Sequence, residues 1–184
     1  MSLSVITNQQ HYNARLKARE ASECSDIWDL LDTVCDPEIP VVSLWDLGVL
    51  ANVEKHESGE ITVTLTPTYS GCSALDVMRD DILIALNNNG YTNAKVKTQL
   101  SPAWSSNWLS PEGRKKMNEF GIAPPNPEYC AQKECANKNI PLAIACPHCK
   151  SINTRQISEF GSTACKALHQ CNDCLEPFDY FKTI

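Results

Sequence analysis

Two Cys-x2-Cys pairs, Cys146 with Cys149 and Cys171 with Cys174, are separated by 21 residues. Each pair can turn tightly enough to aim both thiolates at one ion, and two such turns complete a tetrahedral shell of four sulfurs. The spacing is close to that of zinc ribbons, which place roughly 15–20 residues between their knuckles. So short a segment cannot bury enough apolar area to fold alone, so the metal must supply folding free energy. Structural zinc is the expectation. Iron on the same four thiolates is the alternative, and reduced, unliganded cysteines are the bland one. The plant-type C-x4-C-x2-C run is absent, because Cys130-x4-Cys135 is followed by ten residues before Cys146.

Cys165, in Phe160-Gly161-Ser162-Thr163-Ala164-Cys165-Lys166, lies between the knuckles. It reads either as a small apolar residue inside the ribbon or as a spare thiolate beside the metal site, able to hold or pass iron. Cys130 and Cys135 sit in polar sequence and are expected to be solvent-exposed. A third thiol, Cys72, ends Thr66-Pro67-Thr68-Tyr69-Ser70-Gly71-Cys72, between a strand and the expected start of a helix. The helix dipole there would lower its pKa and favour the thiolate, with Gly71 allowing a sharp turn. A cysteine packed under the loop is the competing reading. Asp36 and Glu38 could be acid/base groups, although a helix stop at Asp36-Pro37 accounts for Asp36 without chemistry.

Enzyme motifs are missing: there is no GxxxxGK[ST], GxGxxG, GxSxG or HExxH. The four histidines are scattered, with His148 and His169 in or beside the knuckles. A Cys–His hydrolase built on Cys72 stays open, since such triads assemble in space. The expectation is a protein that is not an enzyme.

Around these residues, an apolar stripe of Ile27, Leu30, Leu31 and Val34 marks a helix with Ser25 as its N-cap, ended by Asp36-Pro37. Residues 49–56 and 61–67 read as two strands around a turn at residues 57–60. Ile61, Val63 and Leu65 alternate with Thr62, Thr64 and Thr66, the period of a half-buried strand. A second helix is expected over residues 73–87, stopped by Asn87-Asn88-Asn89-Gly90, then a strand over 94–100. A short helix follows Pro111 and is closed by Gly121, and Pro124, Pro125 and Pro127 mark a linker. The expectation is an α+β fold: a small mixed sheet with packed helices, followed by a C-terminal zinc ribbon. Residues 1–24 read as a poorly ordered lead-in, 25–121 as the α+β domain, 122–141 as the linker and 142–184 as the ribbon.

Composition narrows the class. The chain has 184 residues, 42% hydrophobic and 21% charged, as in soluble globular proteins. No apolar run approaches the roughly 20 residues of a membrane span, and the first residues lack a secretory signal, so the cytoplasm is expected. Seven of the ten cysteines fall between Cys130 and Cys174, which in a reducing compartment favours metal over disulfides. A net charge of −6, and a neutral ribbon with four Lys/Arg and four Asp/Glu from Cys146 onward, argue against a nucleic-acid partner.

Asp36-Pro37-Glu38-Ile39-Pro40, Asp46-Leu47-Gly48-Val49 and the loop ending at Cys72 resemble the small domain of SufT-like iron–sulfur assembly factors. The block from Ser158 to Lys182, with Ser101 to Trp108, is similar to the PaaD (PaaJ) family of the bacterial phenylacetyl-CoA epoxidase system. The likeness runs from about Ser25 onward. It implies a non-catalytic accessory factor in phenylacetate degradation that assists iron–sulfur assembly on the system's reductase. Implied partners are the reductase or oxygenase subunits and iron–sulfur scaffold proteins, with neither nucleic acid nor membrane, and a homodimer stays open. Cys72, Asp36 and Glu38 match the family's motif positions, with Cys72 the expected functional thiol. A transient iron–sulfur cluster would accompany structural zinc. Alternatives are a structural docking component of the oxygenase complex and a Cys72 thiol enzyme. Two departures stand out: Ser73 follows Cys72 where relatives often have proline, and no cysteine lies near the end of Phe181-Lys182-Thr183-Ile184.

Overall fold

A computed structural model describes residues 8–125 and 144–184. Cys130 and Cys135 lie outside the described residues. The chain opens with helix α1 (Asn8–Glu20), in place of the loose lead-in expected from sequence. The helix carries little apolar character, so periodicity could not reveal it. Arg15 holds it down: its guanidinium donates to the carbonyls of Trp108 (2.5 Å), Leu50 (3.1 Å) and Trp45 (3.4 Å) and lies 4.2 Å above the Trp45 ring. These carbonyls need partners once buried, and burial in turn pulls the Arg15 pKa down to about 10.

Helix α2 (Ser25–Leu31) buries Ile27, Trp28 and Leu31. Cys24, not Ser25, is its N-cap residue and makes no side-chain capping bond, and the helix ends before Asp36-Pro37 is reached. Strands β1 (Cys35–Asp36) and β2 (Ile39–Ser43) form a small antiparallel ladder. Strand β3 (Leu50–Lys55) then pairs antiparallel with β4 (Ile61–Leu65). Helix α3 (Leu75–Asn88) crosses over to β5 (Ala94–Thr98), which runs parallel to β4, giving the sheet order β3-β4-β5. Gly90, at φ +87°, supplies the left-handed turn that ends α3.

Strand β4 is buried on both faces, not half-buried. Ile61, Val63 and Leu65 enter the apolar core. Thr62 and Thr64 are buried as well; they stand opposite Lys95 and Lys97 of β5, which pair with Glu60 and Glu54. A central strand can therefore carry threonines that look exposed in a period-2 pattern.

Helix α4 (Pro111–Glu119) begins at Ser110, whose hydroxyl accepts from the N–H of Gly113. Asp46 anchors it, accepting from the Ser110 hydroxyl (2.5 Å) and from Lys116 (2.7 Å). Strand β6 (Ile122–Ala123) falls at the start of the expected linker, yet it pairs with the C-terminal strand. The ribbon comprises β7 (Thr154–Ser158), β8 (Lys166–Cys171) and β9 (Pro177–Phe181), with sheet order β6-β9-β8-β7.

The ribbon has a small core of its own, including Ile144, Ala167, Phe178 and Tyr180 around Cys146 and Cys171. It also enters the main core. Phe181 is 1% exposed, belongs to the larger cluster, and packs against Trp104 with ring centres 5.9 Å apart. The Ser106 N–H donates to the Ile184 carbonyl (3.1 Å). Ribbon and sheet domain are joined by shared core and backbone.

Candidate functional site

The four knuckle cysteines converge: one Sγ from each of Cys146, Cys149, Cys171 and Cys174 lies within 4.8 Å of the others. Cys146 and Cys174 are 3.7 Å apart, and Cys149 and Cys171 3.5 Å. A tetrahedral ion with sulfurs at about 2.3 Å has edges of about 3.8 Å, so the donor set fits a thiophilic metal. Each knuckle closes on a residue in the left-handed region, Lys150 at φ 65° and Leu175 at φ 67°. Lys150 N–H donates to the Cys146 carbonyl (2.9 Å), and Cys171 N–H to the Glu176 carbonyl (3.0 Å). The carboxylate of Asp173 accepts from Ser151 and from Asn153, tying the knuckles together and lowering its own pKa. N–H groups of Cys174 and Asp173 draw the Cys171 thiol down to about 7, while the crowding of the four thiols leaves Cys149 and Cys174 raised.

A cleft, roughly 430 Å3 with its open mouth included, lies where the two domains meet. Asp36, Glu38, Cys72, Thr163, Cys165 and Phe181 all contribute to its wall. Asp36 Oδ1 accepts from the N–H groups of Glu38 (2.8 Å) and Ile39 (2.9 Å), so the Asp-Pro-Glu-Ile segment is a turn folded over its own carboxylate. Burial raises the Asp36 pKa despite those two donors. The non-chemical role of Asp36 is thus this turn, not the helix stop, since α2 has already ended. Gly48, at φ +82°, bends the chain so that Leu47 lines the cleft, and a Cβ there would lie 2.8 Å from Trp108 Cβ.

Cys72 is half-buried, and α3 begins three residues later, at Leu75. Its pKa is raised, not lowered. Burial is the main cause, the charges of Asp36 and Cys165 add to it, and the N–H groups of Ala74 and Leu75 oppose it without winning. The expected thiolate at a helix terminus is therefore a protonated thiol in a shielded wall. Gly71 has an ordinary φ, and a Cβ there would meet only the Tyr69 ring at 3.5 Å, so no sharp glycine turn is needed.

Cys165 occupies neither expected place. It packs against the main core, sharing the cleft with Cys72, while Cys146, Cys171 and Cys174 group with the ribbon core. Thr163 Oγ1 lies 3.0 Å from its Sγ, and the Lys182 N–H fixes its carbonyl at 2.9 Å. Burial raises its pKa as well. Sequence reading missed Thr163, Lys166 and Phe181. Lys166 is 3% exposed, pairs with Asp179 at 3.6 Å, and its charge opposes the upward shift of Asp36. Nothing in the local sequence connects these residues with a loop a hundred positions earlier. No histidine lines the cleft among the described residues; His169 is buried between Phe178 and Tyr180, its pKa lowered by burial.

Known proteins resemble the chain in both of its parts. Residues 25–97 match the family described as iron–sulfur cluster assembly protein, and residues 131–182 match the PaaD zinc beta ribbon domain. An Escherichia coli (strain K12) protein, provisionally named as one of the subunits of 1,2-phenylacetyl-CoA epoxidase, is 44% identical over 92% of this chain and 99% of its own. A Porphyromonas gingivalis (strain ATCC BAA-308 / W83) protein named Fe-S protein maturation auxiliary factor is 36% identical over 53% of this chain and 90% of its own. A crystal structure of a domain of unknown function, DUF59, from Bacillus anthracis is 25% identical, covering 55% of this chain and 96% of that one, with a TM-score of 0.48. Among the described residues, no helix is long and apolar enough to cross a membrane.

Proposed function

The chain belongs to the PaaD family, as its match to the epoxidase-system protein of E. coli establishes, and from that premise we propose that it is a non-catalytic maturation factor of a phenylacetyl-CoA epoxidase system. Its task is to deliver iron, or an iron–sulfur cluster, to the system's reductase component. The carrying observation is the cleft that gathers Asp36, Glu38, Cys72 and Cys165 from sequence positions far apart. A soft thiol set beside carboxylates suits iron handling. Residues 25–121 form the assembly domain in this reading, and residues 142–184 the ribbon.

Zinc is the metal we assign to Cys146, Cys149, Cys171 and Cys174. Four converging thiols leave no open position, as in structural sites, and bound zinc would stabilise strands that carry only a small core. Their part is to bind and to fix the two knuckles, and zinc supplies no reaction there. The partners in this reading are the reductase and, upstream, an iron–sulfur scaffold protein.

The test is made in cells producing the reductase with and without this protein. Reductase purified without it should carry less iron and acid-labile sulfide, and Cys72→Ser should reproduce the loss while costing at most about 1 kcal/mol of stability. Full loading of the reductase in the absence of the protein refutes the proposal. A docking role is favoured by one observation: Ile152, Ile157, Phe160 and Leu175 are all at least half exposed on the ribbon. A docking component would leave the reductase fully loaded but poorly assembled with the oxygenase.

A further inference from the structure

We propose that Cys72 and Cys165 act together as one two-thiolate site, assembled across the two domains, for a single thiophilic divalent ion of the iron(II) class. The inference deepens the maturation reading above and rests on it for the identity of the cargo.

Three observations support it. First, both thiols line the same cleft, one from the β4–α3 loop and one from the β7–β8 loop of the ribbon. A charge on Cys165 adds to the rise in the Cys72 pKa, and Asp36 acts on both thiols from the same wall. Second, Cys165 is held for this position: its carbonyl is fixed by Lys182, and Phe181 beside it is locked in the main core. A ribbon serving only as a tethered docking module would not need its C-terminal strand embedded in the other domain. Third, the cleft, roughly 430 Å3 with its mouth included, is open to solvent, so an ion held on the two thiols stays within reach of a donor or a client.

Among the described residues, the knuckle cysteines are the one group of three or more ligating side chains close enough to surround an ion. The cleft therefore offers two thiols and leaves the ion's other positions to solvent, a donor or a client. That incompleteness suits a carrier, which must bind and release. Loading is ligand exchange without electron transfer. Each thiol loses its proton, two sulfur–metal bonds form, and two bonds from the ion to water or to a donor's thiolates break. The protons leave to solvent at the side where Glu38 is exposed. Burial keeps both thiols protonated until the metal arrives.

The experiment uses the zinc-loaded full-length protein, titrated anaerobically with cobalt(II) as the probe and read by thiolate-to-cobalt charge-transfer absorbance. The C72S/C165S double variant supplies the signal of cobalt entering the ribbon. Wild type should bind one further cobalt with the intensity of two thiolates. C72S, C165S and C165A should each lower that affinity by at least the roughly 10–100-fold that loss of even an outer-shell partner costs, while C35S should bind as wild type does. Melting temperatures within a few degrees of wild type certify folding, and C165A keeps the packing if C165S does not. Cobalt binding unchanged in C165S and C165A overturns the paired site, even where C72S abolishes reductase loading and the maturation reading stands. Conversely, cobalt binding that follows both thiols in a system whose reductase loads normally without the protein sinks the maturation reading and leaves the site.

Discussion

Phe181→Ala is the most searching perturbation of the joined-domain arrangement. The side chain comes from the last strand of the ribbon, is 1% exposed, and sits in the core of the other domain against Trp104. Deleting a buried phenylalanine removes its transfer free energy and leaves a cavity, together about 3–5 kcal/mol. For a chain of this size each kcal/mol moves the melting temperature by roughly 2–4 °C, so a fall of about 6–20 °C is expected. All four tryptophans, Trp28, Trp45, Trp104 and Trp108, lie in the N-terminal domain, so their fluorescence follows that domain, with Trp104 also sensing the Phe181 ring packed against it. The assay is thermal unfolding read by tryptophan fluorescence in zinc-loaded wild type and F181A. A tryptophan transition that stays at the wild-type temperature, with only the ribbon loosened, would refute the shared core and with it the fixed position of Cys165.

Further outcomes follow from the same geometry. Cys171→Ser, or stripping the metal with a chelator, should free the ribbon strands and also lower the tryptophan transition, because Phe181 is released with them; limited proteolysis and metal analysis check the first effect, fluorescence the second. Asp36→Asn keeps an acceptor for the N–H groups of Glu38 and Ile39 but removes a buried charge. The folded-state pKa of Asp36 is raised, so its ionised form costs stability at neutral pH, and that cost vanishes as pH falls through the folded value to below the ordinary carboxylate range. D36N should therefore melt above wild type at pH 7 and with it near pH 3, and an equal offset at both would contradict the burial argument. Gly48→Ala places a side chain at φ +82° and against Trp108, and should cost about 2 kcal/mol or more in urea unfolding.

The helices and strands with strong local signals were legible in the residues. The apolar stripe of α3, its stop at Gly90 and the alternation of β4 mark elements whose bounds fall within two or three residues of the expected ones. Where local signals were weak or ambiguous, reading failed. Polar α1 is held by arginine bonds to carbonyls distant in sequence, and the threonines of β4 are buried in the central strand of the sheet. Local sequence puts Cys72 near a helix dipole that favours its thiolate; burial and the neighbouring Asp36 and Cys165 decide its pKa in the other direction.

The sequence by itself determined the four-cysteine centre, because a CxxC knuckle is built from adjacent residues and carries its geometry in its spacing. It also determined the candidates Asp36, Glu38, Cys72 and Cys165 as separate points along the chain. Only the tertiary structure decided that these four share one cleft, that Cys165 packs against the main core and not the ribbon core, and that Phe181 fastens one domain into the other. The reason is physical: a shared wall depends on long-range packing of apolar surface, and such packing leaves no periodicity in any local window of sequence.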